Sequence, residues 1–248
     1  MRRWIPVGIA CLGIVAPRLV PAQFPPQSAT NLKVLPTSIS MDDLVDTMAG
    51  FTRALGVRCN YCHVGQEGAA LDTYEFANDQ KATKEKARAM LRMVAAINDE
   101  HLAKLPNRRT PPIVVACATC HHGIAQPRPL QQVLIGAYDA GGVDSLTAAY
   151  RALRTRYYGA AAYDFGEVPL ADVGSTVGQR GKLADAVRIH LLNTEVSPTS
   201  GFALRQASAA QLALGDTTAA ITSLERALTL NPNDAQSKRS LEALRKKS

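Results

Sequence analysis

Two five-residue segments of the chain each combine two thiols with one imidazole. They are Cys59-Asn60-Tyr61-Cys62-His63 and Cys117-Ala118-Thr119-Cys120-His121. On a helical turn, residues i, i+3 and i+4 project to one side. Two thiols at this spacing can bond the two vinyl groups of one porphyrin, while the histidine that follows them reaches the iron. C-x-x-C-H is the pattern of covalent c-type haem attachment. We therefore expect two haems c, attached at Cys59, Cys62, Cys117 and Cys120, with His63 and His121 as iron ligands.

The same four cysteines admit three other interpretations. A single zinc ion could bind all four thiols, but the two pairs are 58 residues apart, against about 15–20 residues in zinc ribbons. A thioredoxin-like redox pair needs a βαβ context, which the sequence lacks. Structural disulfides are the third alternative, since exported proteins use them. The histidine directly after each pair favours haem over all three.

The N-terminal residues 1–22 have the composition of a secretory signal. Two arginines precede an apolar stretch that ends at Val15, and small residues lead up to Ala22. The apolar stretch is too short for a helix that spans a membrane. We expect cleavage after Ala22 and a periplasmic or other extracytoplasmic location. An uncleaved anchor and a lipid attached to Cys11 are the alternatives.

Cleavage would change the charge and the thiol count of the protein. The chain has 248 residues and a formal charge of +7, and loss of Arg2, Arg3 and Arg18 lowers that charge to +4. Nucleic-acid-binding proteins usually carry a much larger positive charge, and we therefore expect no nucleic-acid partner. All four cysteines that remain belong to the two motifs. Aromatic residues make up only 5% of the chain, and two porphyrins would supply apolar area worth about 25 cal/mol per Å² when buried.

Hydrophobic spacing predicts a helix before each motif. Apolar residues at a period of 3.6, with Ser40 as N-cap, predict a helix over 41–55. A second helix is predicted over 83–105, where Pro106 ends it. The segment between the first motif and this helix has the composition of a surface loop, and residues 32–35 have that of a short edge strand. We expect a mainly α-helical fold.

The C-terminal half has a different internal period. Gly181 and Gly215, Ala186 and Ala220, and Pro198 and Pro232 are each 34 residues apart. Thirty-four residues is the length of the tetratricopeptide repeat, a pair of helices. His190 replaces a bulky apolar residue of this pattern, and we interpret it as a core histidine rather than a third iron ligand.

These patterns predict a di-haem cytochrome c domain over residues 23–138 and a tetratricopeptide-like helical repeat domain over 139–248. A helix over 143–158 is expected to pack on the first repeat, and the Lys- and Arg-rich end of the chain is expected to cap the last one. Residues 136–143 contain three glycines, and we expect a hinge or short linker there.

Each iron has a sixth position that a second side chain can fill. Met48 lies on the helix over 41–55, 11 residues before Cys59. It could place its thioether on the far face of the first haem, or it could be an ordinary core residue. For the second haem, Met90, Met93 and His101 lie on one predicted helix, and spacing alone leaves all three open.

Several motifs in this order resemble a known family, the cytochrome c subunit of photosynthetic reaction centres. The resemblance covers about residues 31–125 and rests on four segments: Asn31-Leu32-Lys33-Val34-Leu35-Pro36, Met48 through His63, Arg92-Met93-Val94 and Cys117 through His121. In that family a methionine on the helix before C-x-x-C-H is the sixth ligand. The resemblance therefore implies Met48 for the first haem and Met93 for the second, with His101 as the rival of Met93. The family's subunit carries four haems, so this chain resembles half of it, and the helical repeats are not part of it.

The expected function is that of an exported di-haem electron carrier and not of an enzyme. It would relay single electrons between redox partner proteins, including a membrane-bound electron-transfer complex, and its repeats would dock a partner. The sequence leaves open whether the protein would serve photosynthetic or respiratory electron transport. One alternative is a di-haem peroxidase-like enzyme, with one iron open to peroxide. The other is a redox- or gas-sensing scaffold whose repeats bind a partner protein.

Overall fold

The computed structural model describes residues 24–26 and 28–246. The predicted signal sequence, residues 1–22, lies outside them. The described residues form nine α-helices and no strand, which confirms the mainly α-helical class. The helices are α1 Met41–Leu55, α2 Ala82–Ala96, α3 Cys117–His121, α4 Leu130–Tyr157, α5 Glu167–Gln179, α6 Leu183–Val196, α7 Gly201–Ala213, α8 Thr217–Leu230 and α9 Ala235–Arg245. Within the described stretches, no helix has both the length and the apolarity needed to cross a bilayer.

The described residues divide into two compact units. The first unit comprises the residues up to Gly50 together with Arg58–Pro112, and the second comprises Phe51–Val57 together with Ile113 and the residues that follow it. This division places the second C-x-x-C-H motif in the unit that contains the repeats. The predicted boundary at 138/139 falls inside α4, and separate folding of the two halves stays a prediction.

Helix α1 has the predicted bounds and the predicted cap. The Ser40 hydroxyl accepts a hydrogen bond from the Asp43 backbone N–H at 3.1 Å and donates one to the Asp43 carboxylate at 2.6 Å. This reciprocal contact satisfies one of the backbone donors that a helix N-terminus leaves free. Leu44, in the first turn of α1, is buried.

The helical segment that contains α2 changes its winding before it ends. After Ala96 it continues as a π-helical turn over Ile97–His101 and a 3₁₀ turn over Leu102–Lys104. A π turn holds more residues than an α turn. The register of His101 relative to Met90 therefore differs from that of an uninterrupted α-helix, which the prediction of one helix over 83–105 assumes.

The segments around α2 contain little regular structure. Residues 33–35 form bends and residue 32 has no regular structure, so the expected edge strand is wrong. Side chains hold this segment in place: Asn31 Nδ2 donates to the Ala77 carbonyl at 2.5 Å and Lys33 Nζ lies 2.6 Å from an Asp79 carboxylate oxygen. The predicted surface loop after the first motif is closed by one backbone bridge, in which the Glu75 N–H donates to the Val64 carbonyl at 2.9 Å.

The second unit contains the helical repeats. Helices α5 and α7 begin 34 residues apart, as do α6 and α8, and α7 and α9. The side chains of Ser200, Asp216 and Asp234 cap the N-termini of α7, α8 and α9. The tetratricopeptide period seen in the sequence is therefore the period of the helices.

Helix α4 packs on the first repeat, as predicted, but it begins earlier than expected. Its backbone is non-helical only at Gly141 and Gly142, in the segment expected to be a hinge or linker. Leu134, before the glycines, and Val143, after them, are both buried in one core with Leu170 of α5. Polar contacts follow the same pattern on both sides of the glycines: Tyr138 with Asp185 at 2.7 Å, Asp139 with Arg180 at 2.7 Å and Asp144 with Arg188 at 2.5 Å.

Candidate haem-binding sites

The first motif forms a tight turn that gathers its three functional residues. Cys59–Tyr61 is a 3₁₀ turn, and the Cys59 carbonyl accepts from the Cys62 N–H at 3.2 Å and from the His63 N–H at 3.0 Å. The cysteines of both motifs carry free thiols, so the disulfide alternative has no counterpart in the structure. The turn brings Cys59, Cys62 and His63 together, as their spacing indicates.

The start of α2 holds this turn in place. Lys81 Nζ donates to the Asn60 carbonyl, and Thr83 Oγ1 donates to the Tyr61 carbonyl. Burial raises the pKa of the Cys62 thiol, and a hydrogen bond with Thr83 opposes this effect. Two consecutive carbonyls of the motif are thus anchored to one helix N-terminus.

The imidazole of His63 has a defined tautomer. Its Nδ1 lies 3.2 Å from the Phe76 carbonyl oxygen, and a carbonyl can only accept a hydrogen bond, so Nδ1 carries the proton. The lone pair is therefore on Nε2, the nitrogen left for a metal. The Phe76 ring lies against the imidazole edge, with centroids 5.0 Å apart. Burial, and then the charge of Lys84, lower the pKa of His63 and favour the neutral form that ligates metals.

A cluster of charged side chains supports the same loop. We call it the Asp79 cluster; its members are Lys33, Asp79, Lys84, Glu85 and Arg88. Lys84 and Arg88 are buried, with 9% and 6% of their surface exposed. Lys84 Nζ lies 2.9 Å from one Asp79 carboxylate oxygen, and Arg88 Nη1 lies 3.0 Å from the other. The hydrogen bond from Arg88, followed by that from Lys33, holds the pKa of Asp79 well below its usual range.

The second motif forms the short helix α3. The Ala116 N–H donates to Thr119 Oγ1 at 3.0 Å at its start, and His122, with φ of 46°, ends it. His121 Nδ1 lies 2.9 Å from the Ile124 carbonyl oxygen, and the Ile124 N–H donates to the His121 carbonyl at 2.8 Å. By the same reasoning as for His63, Nδ1 carries the proton and Nε2 is left for a metal.

The turn after the second motif rests on the end of α1. The Gly123 N–H donates to the Ala54 carbonyl at 2.8 Å. Gly56, which follows α1, has a φ of +65°, and a Cβ there would lie 2.0 Å from the Gly123 carbonyl oxygen. Only glycine fits at this approach of two backbone segments.

The candidate sixth ligands lie on α1 and on the helical segment of α2. Met48 is half-buried on α1. Met90 and Met93 are each 47% exposed on α2, and His101 is exposed in the π turn. This geometry does not choose between Met93, Met90 and His101, so Met48 and Met93 stay predicted ligands.

The residues present fit a covalently bound porphyrin. Each motif offers two free thiols and a histidine whose Nε2 is left for iron. In the described part of the first unit, Leu44 is the one large apolar side chain that is buried, whereas Met90, Met93 and Leu105 are 47–55% exposed. This unit therefore has apolar surface for a large flat ligand to cover. Among the described residues, no three His, Cys, Asp or Glu side chains are grouped to hold a bare metal ion, which gives the zinc alternative no support.

Comparison with known proteins agrees with this chemistry. Residues 24–138 match the family described as the photosynthetic reaction centre cytochrome C subunit. This match, over somewhat less than half of the chain, supports a cytochrome c domain in its first part. A stretch of 69 residues, 28% of the chain, is 42% identical to cytochrome c-554 of Chloroflexus aurantiacus and covers 14% of the length of that protein. The resemblance to that family is therefore confirmed, and the cytochrome c family implies covalently bound haem c.

The chain is also similar to solved structures of tetratricopeptide domains. One is the first TPR of Spaghetti (RPAP3) bound to HSP90 peptide SRMEEVD, with 20% identity and a TM-score of 0.32, over 47% of this chain and 88% of that one. Another is the first TPR domain of the human RPAP3 protein, with 21% identity and a TM-score of 0.32, over 47% of this chain and 87% of that one. The helical repeats of this chain are assigned from their own 34-residue spacing.

Sequence reasoning missed the partners of the two histidines. Phe76 and Ile124 act through backbone carbonyls, which no side-chain pattern reveals. Lys84 and Arg88 were missed because charged residues on a helix are usually solvated. The sequence contained one indication of their burial. Lys84 and Arg88 lie on the same face of α2 as Leu91, an apolar residue that is half-buried in the structure.

Proposed function

We propose that the chain is an exported two-haem cytochrome c that carries electrons one at a time between redox proteins. The haems are attached through Cys59 and Cys62 and through Cys117 and Cys120. The observation that carries the proposal is the same in both motifs: a backbone carbonyl accepts a hydrogen bond from the Nδ1–H of the histidine, which leaves Nε2 for iron.

The bound haem supplies an iron that gains and loses one electron. The chain supplies the rest. The thiols would hold the porphyrin, the Phe76 and Ile124 carbonyls orient the two imidazoles, and the exposed apolar side chains of α2 would offer a ring an apolar surface. In this proposal Met48 and Met93 would be the sixth ligands, and an iron with six ligands would favour a carrier over a peroxidase, which needs an open position.

The location and the partners belong to the same proposal. The signal-like residues 1–22 support export to the periplasm. In this proposal, haem c is attached there and the redox partners are reached there. The helical repeats support docking of a partner protein, because arrays of paired helices present extended binding surfaces. A membrane-bound electron-transfer complex, photosynthetic or respiratory, is the proposed partner.

Haem loading tests the proposal directly. The full-length gene is expressed in a bacterium that attaches c-type haem, and the intact mass of the periplasmic product is measured. We expect the mature chain plus two haems, both retained after acid–acetone extraction. Cys59→Ala and Cys120→Ala should each compromise one haem, whereas Cys11→Ala, within the predicted signal, should leave both. A product with a single haem, or with zinc in place of haem, would refute the di-haem assignment.

Ligand binding separates a carrier from the alternatives. In one experiment, carbon monoxide is added to the reduced protein and its binding is followed by absorption spectroscopy. In a second experiment, hydrogen peroxide and a reducing co-substrate are added to the protein and consumption of peroxide is measured. A carrier with both sixth positions filled should bind little carbon monoxide and show no peroxide turnover. Stoichiometric carbon monoxide binding would favour the sensor, and peroxide-dependent turnover would favour the peroxidase.

A further inference from the structure

The Phe76 carbonyl oxygen accepts two hydrogen bonds at once. His63 Nδ1 lies 3.2 Å from it, and Lys84 Nζ lies 2.7 Å from it. A carbonyl oxygen has two lone pairs, so both bonds can form together. The ammonium group of Lys84 and the imidazole of His63 are thus linked through a single shared atom, the Phe76 carbonyl oxygen.

The ammonium group is held rigidly in this position. Lys84 is buried, and its Nζ also lies 2.9 Å from the Asn78 carbonyl oxygen and 2.9 Å from Asp79 Oδ1. Asp79 is in turn bound by Lys33 at 2.6 Å and by Arg88 at 3.0 Å. Two carbonyl oxygens accept hydrogen bonds from the ammonium group and the Asp79 carboxylate forms an ion pair with it, so these three neighbours restrict its direction toward Phe76.

The second motif lacks this arrangement. The Ile124 carbonyl accepts from His121 Nδ1 at 2.9 Å, and no charged side chain of the described residues bonds to that oxygen. The chain therefore contains the same histidine contact twice, once with a buried cation on the carbonyl and once without. This difference provides an internal reference for any effect of the cation.

We propose that Lys84 is a positioning residue that raises the redox potential of the haem at the first motif by acting through the Phe76 carbonyl. A hydrogen bond from an ammonium group draws electron density from the carbonyl oxygen and weakens its bond to the His63 Nδ1–H. The imidazole then gives less electron density to iron, which disfavours the oxidised state. The inference rests on the proposed function, because it requires haem at Cys59 and Cys62.

Redox titration of the haem-loaded full-length protein tests the inference. Lys84→Met should lower the reduced-to-oxidised ratio of one haem by about threefold or more at a fixed potential and leave the other haem unchanged. Lys84→Arg keeps the charge and should largely restore the ratio. Lys33→Met is the matched control. Lys33 also places a positive charge on Asp79 but makes no hydrogen bond to the Phe76 carbonyl. Its substitution should therefore change the reduced-to-oxidised ratio by less than half as much.

A spectroscopic readout follows the hydrogen bond itself. In the oxidised protein, the hyperfine-shifted Nδ1–H signal of His63 should move in Lys84→Met, and that of His121 should stay in place. If Lys84→Met does not retain haem, Lys84→Gln, which keeps a neutral donor, is titrated and should show a smaller shift in the same direction.

The outcomes separate the inference from the proposed function. An unchanged potential in a fully loaded Lys84 variant, or equal shifts in the Lys84 and Lys33 variants, would overturn the role of the carbonyl. A wild-type protein without haem at Cys59 and Cys62 would instead overturn the proposed function.

Discussion

Gly56 and Gly123 approach so closely that a methyl group on Gly56 would lie 2.0 Å from the Gly123 carbonyl oxygen. The contact joins the residue that follows α1 to the turn that follows the second C-x-x-C-H motif. It consists of backbone alone, and the hydrogen bond from the Gly123 N–H to the Ala54 carbonyl completes it. The end of a helix far earlier in the sequence thus supports the loop that orients His121.

Substitution of Gly56 should be far more harmful than that of a glycine with similar backbone angles. Gly68 has a φ of +80°, but a Cβ there would meet no atom within 4 Å. Gly68→Ala should therefore cost only the strain of a positive φ, about 1 kcal/mol. Gly56→Ala adds a clash with backbone that cannot rotate away, so it should lower the free energy of unfolding by at least about twice that amount. Urea unfolding of both variants measures the difference. Equal decreases in the free energy of unfolding would show that the backbone near Gly56 can shift to accommodate the methyl group.

Met93 and Met90 offer a matched test of the sixth ligand. Both side chains are 47% exposed on α2, so each substitution by alanine removes a similar amount of packing. If Met93 binds iron, Met93→Ala should lose part of the weak far-red sulfur-to-iron absorption band of the oxidised protein and lower one potential. Met90→Ala should keep both. The reverse result would assign the ligand to Met90, and an unchanged band in both variants would leave His101 as the ligand.

The core of the second unit should include residues before the predicted boundary at 138/139. Leu134 is fully buried there, whereas Leu191 on α6 is 43% exposed. Leu134→Ala should lower the free energy of unfolding by about 2–5 kcal/mol, the range for buried leucines. Leu191→Ala should lower it by less than about 1 kcal/mol. Helix content followed during thermal unfolding measures both. A negligible effect at Leu134 would favour the boundary at 138/139.

His190 should make the repeats sensitive to mild acid. It is buried, its Nδ1 has no hydrogen-bond partner among the residues that the structure describes, and its Nε2 side packs against Gly174. Burial lowers its pKa below the ordinary value of 6.5. Below pH 6.5 the unfolded chain binds a proton that the folded chain excludes, so stability falls with pH by up to about 1.4 kcal/mol per pH unit.

Variants of His190 and of an exposed histidine isolate this effect. His190→Gln should flatten the dependence of the unfolding free energy on pH between 6.5 and 5, as measured by urea unfolding at a series of pH values. His122→Asn changes an exposed residue and should retain the wild-type slope. A slope that survives in His190→Gln would assign the acid sensitivity to other groups.

Local patterns in the sequence were sufficient for much of the fold. The bounds of α1 follow from its apolar period and the Ser40 cap, and the repeat helices follow from their 34-residue spacing. The C-x-x-C-H pattern likewise identifies both thiol pairs and both histidines. In each case the information lies within a few turns of one segment, where spacing translates directly into geometry.

Features that depend on contacts between distant segments could not be predicted. The Phe76 carbonyl lies 13 residues beyond His63, and the loop that brings it back has no hydrophobic period. The burial of Lys84 and Arg88 depends on Asp79 and Asn31, which belong to separate segments. The π turn before His101 is a local change of winding that α-helical periodicity does not register.

The two glycines within α4 reset the phase of that helix. In an uninterrupted α-helix, successive residues turn by about 100°, so Leu134 and Val143 would point in nearly opposite directions. Both are nevertheless buried in the same core, because the backbone leaves helical geometry at Gly141 and Gly142. Alanine at both positions would raise the intrinsic helix propensity of this segment and yet turn one half of its apolar stripe toward solvent. Here a pair of poor helix formers is what allows one long helix to pack on one core.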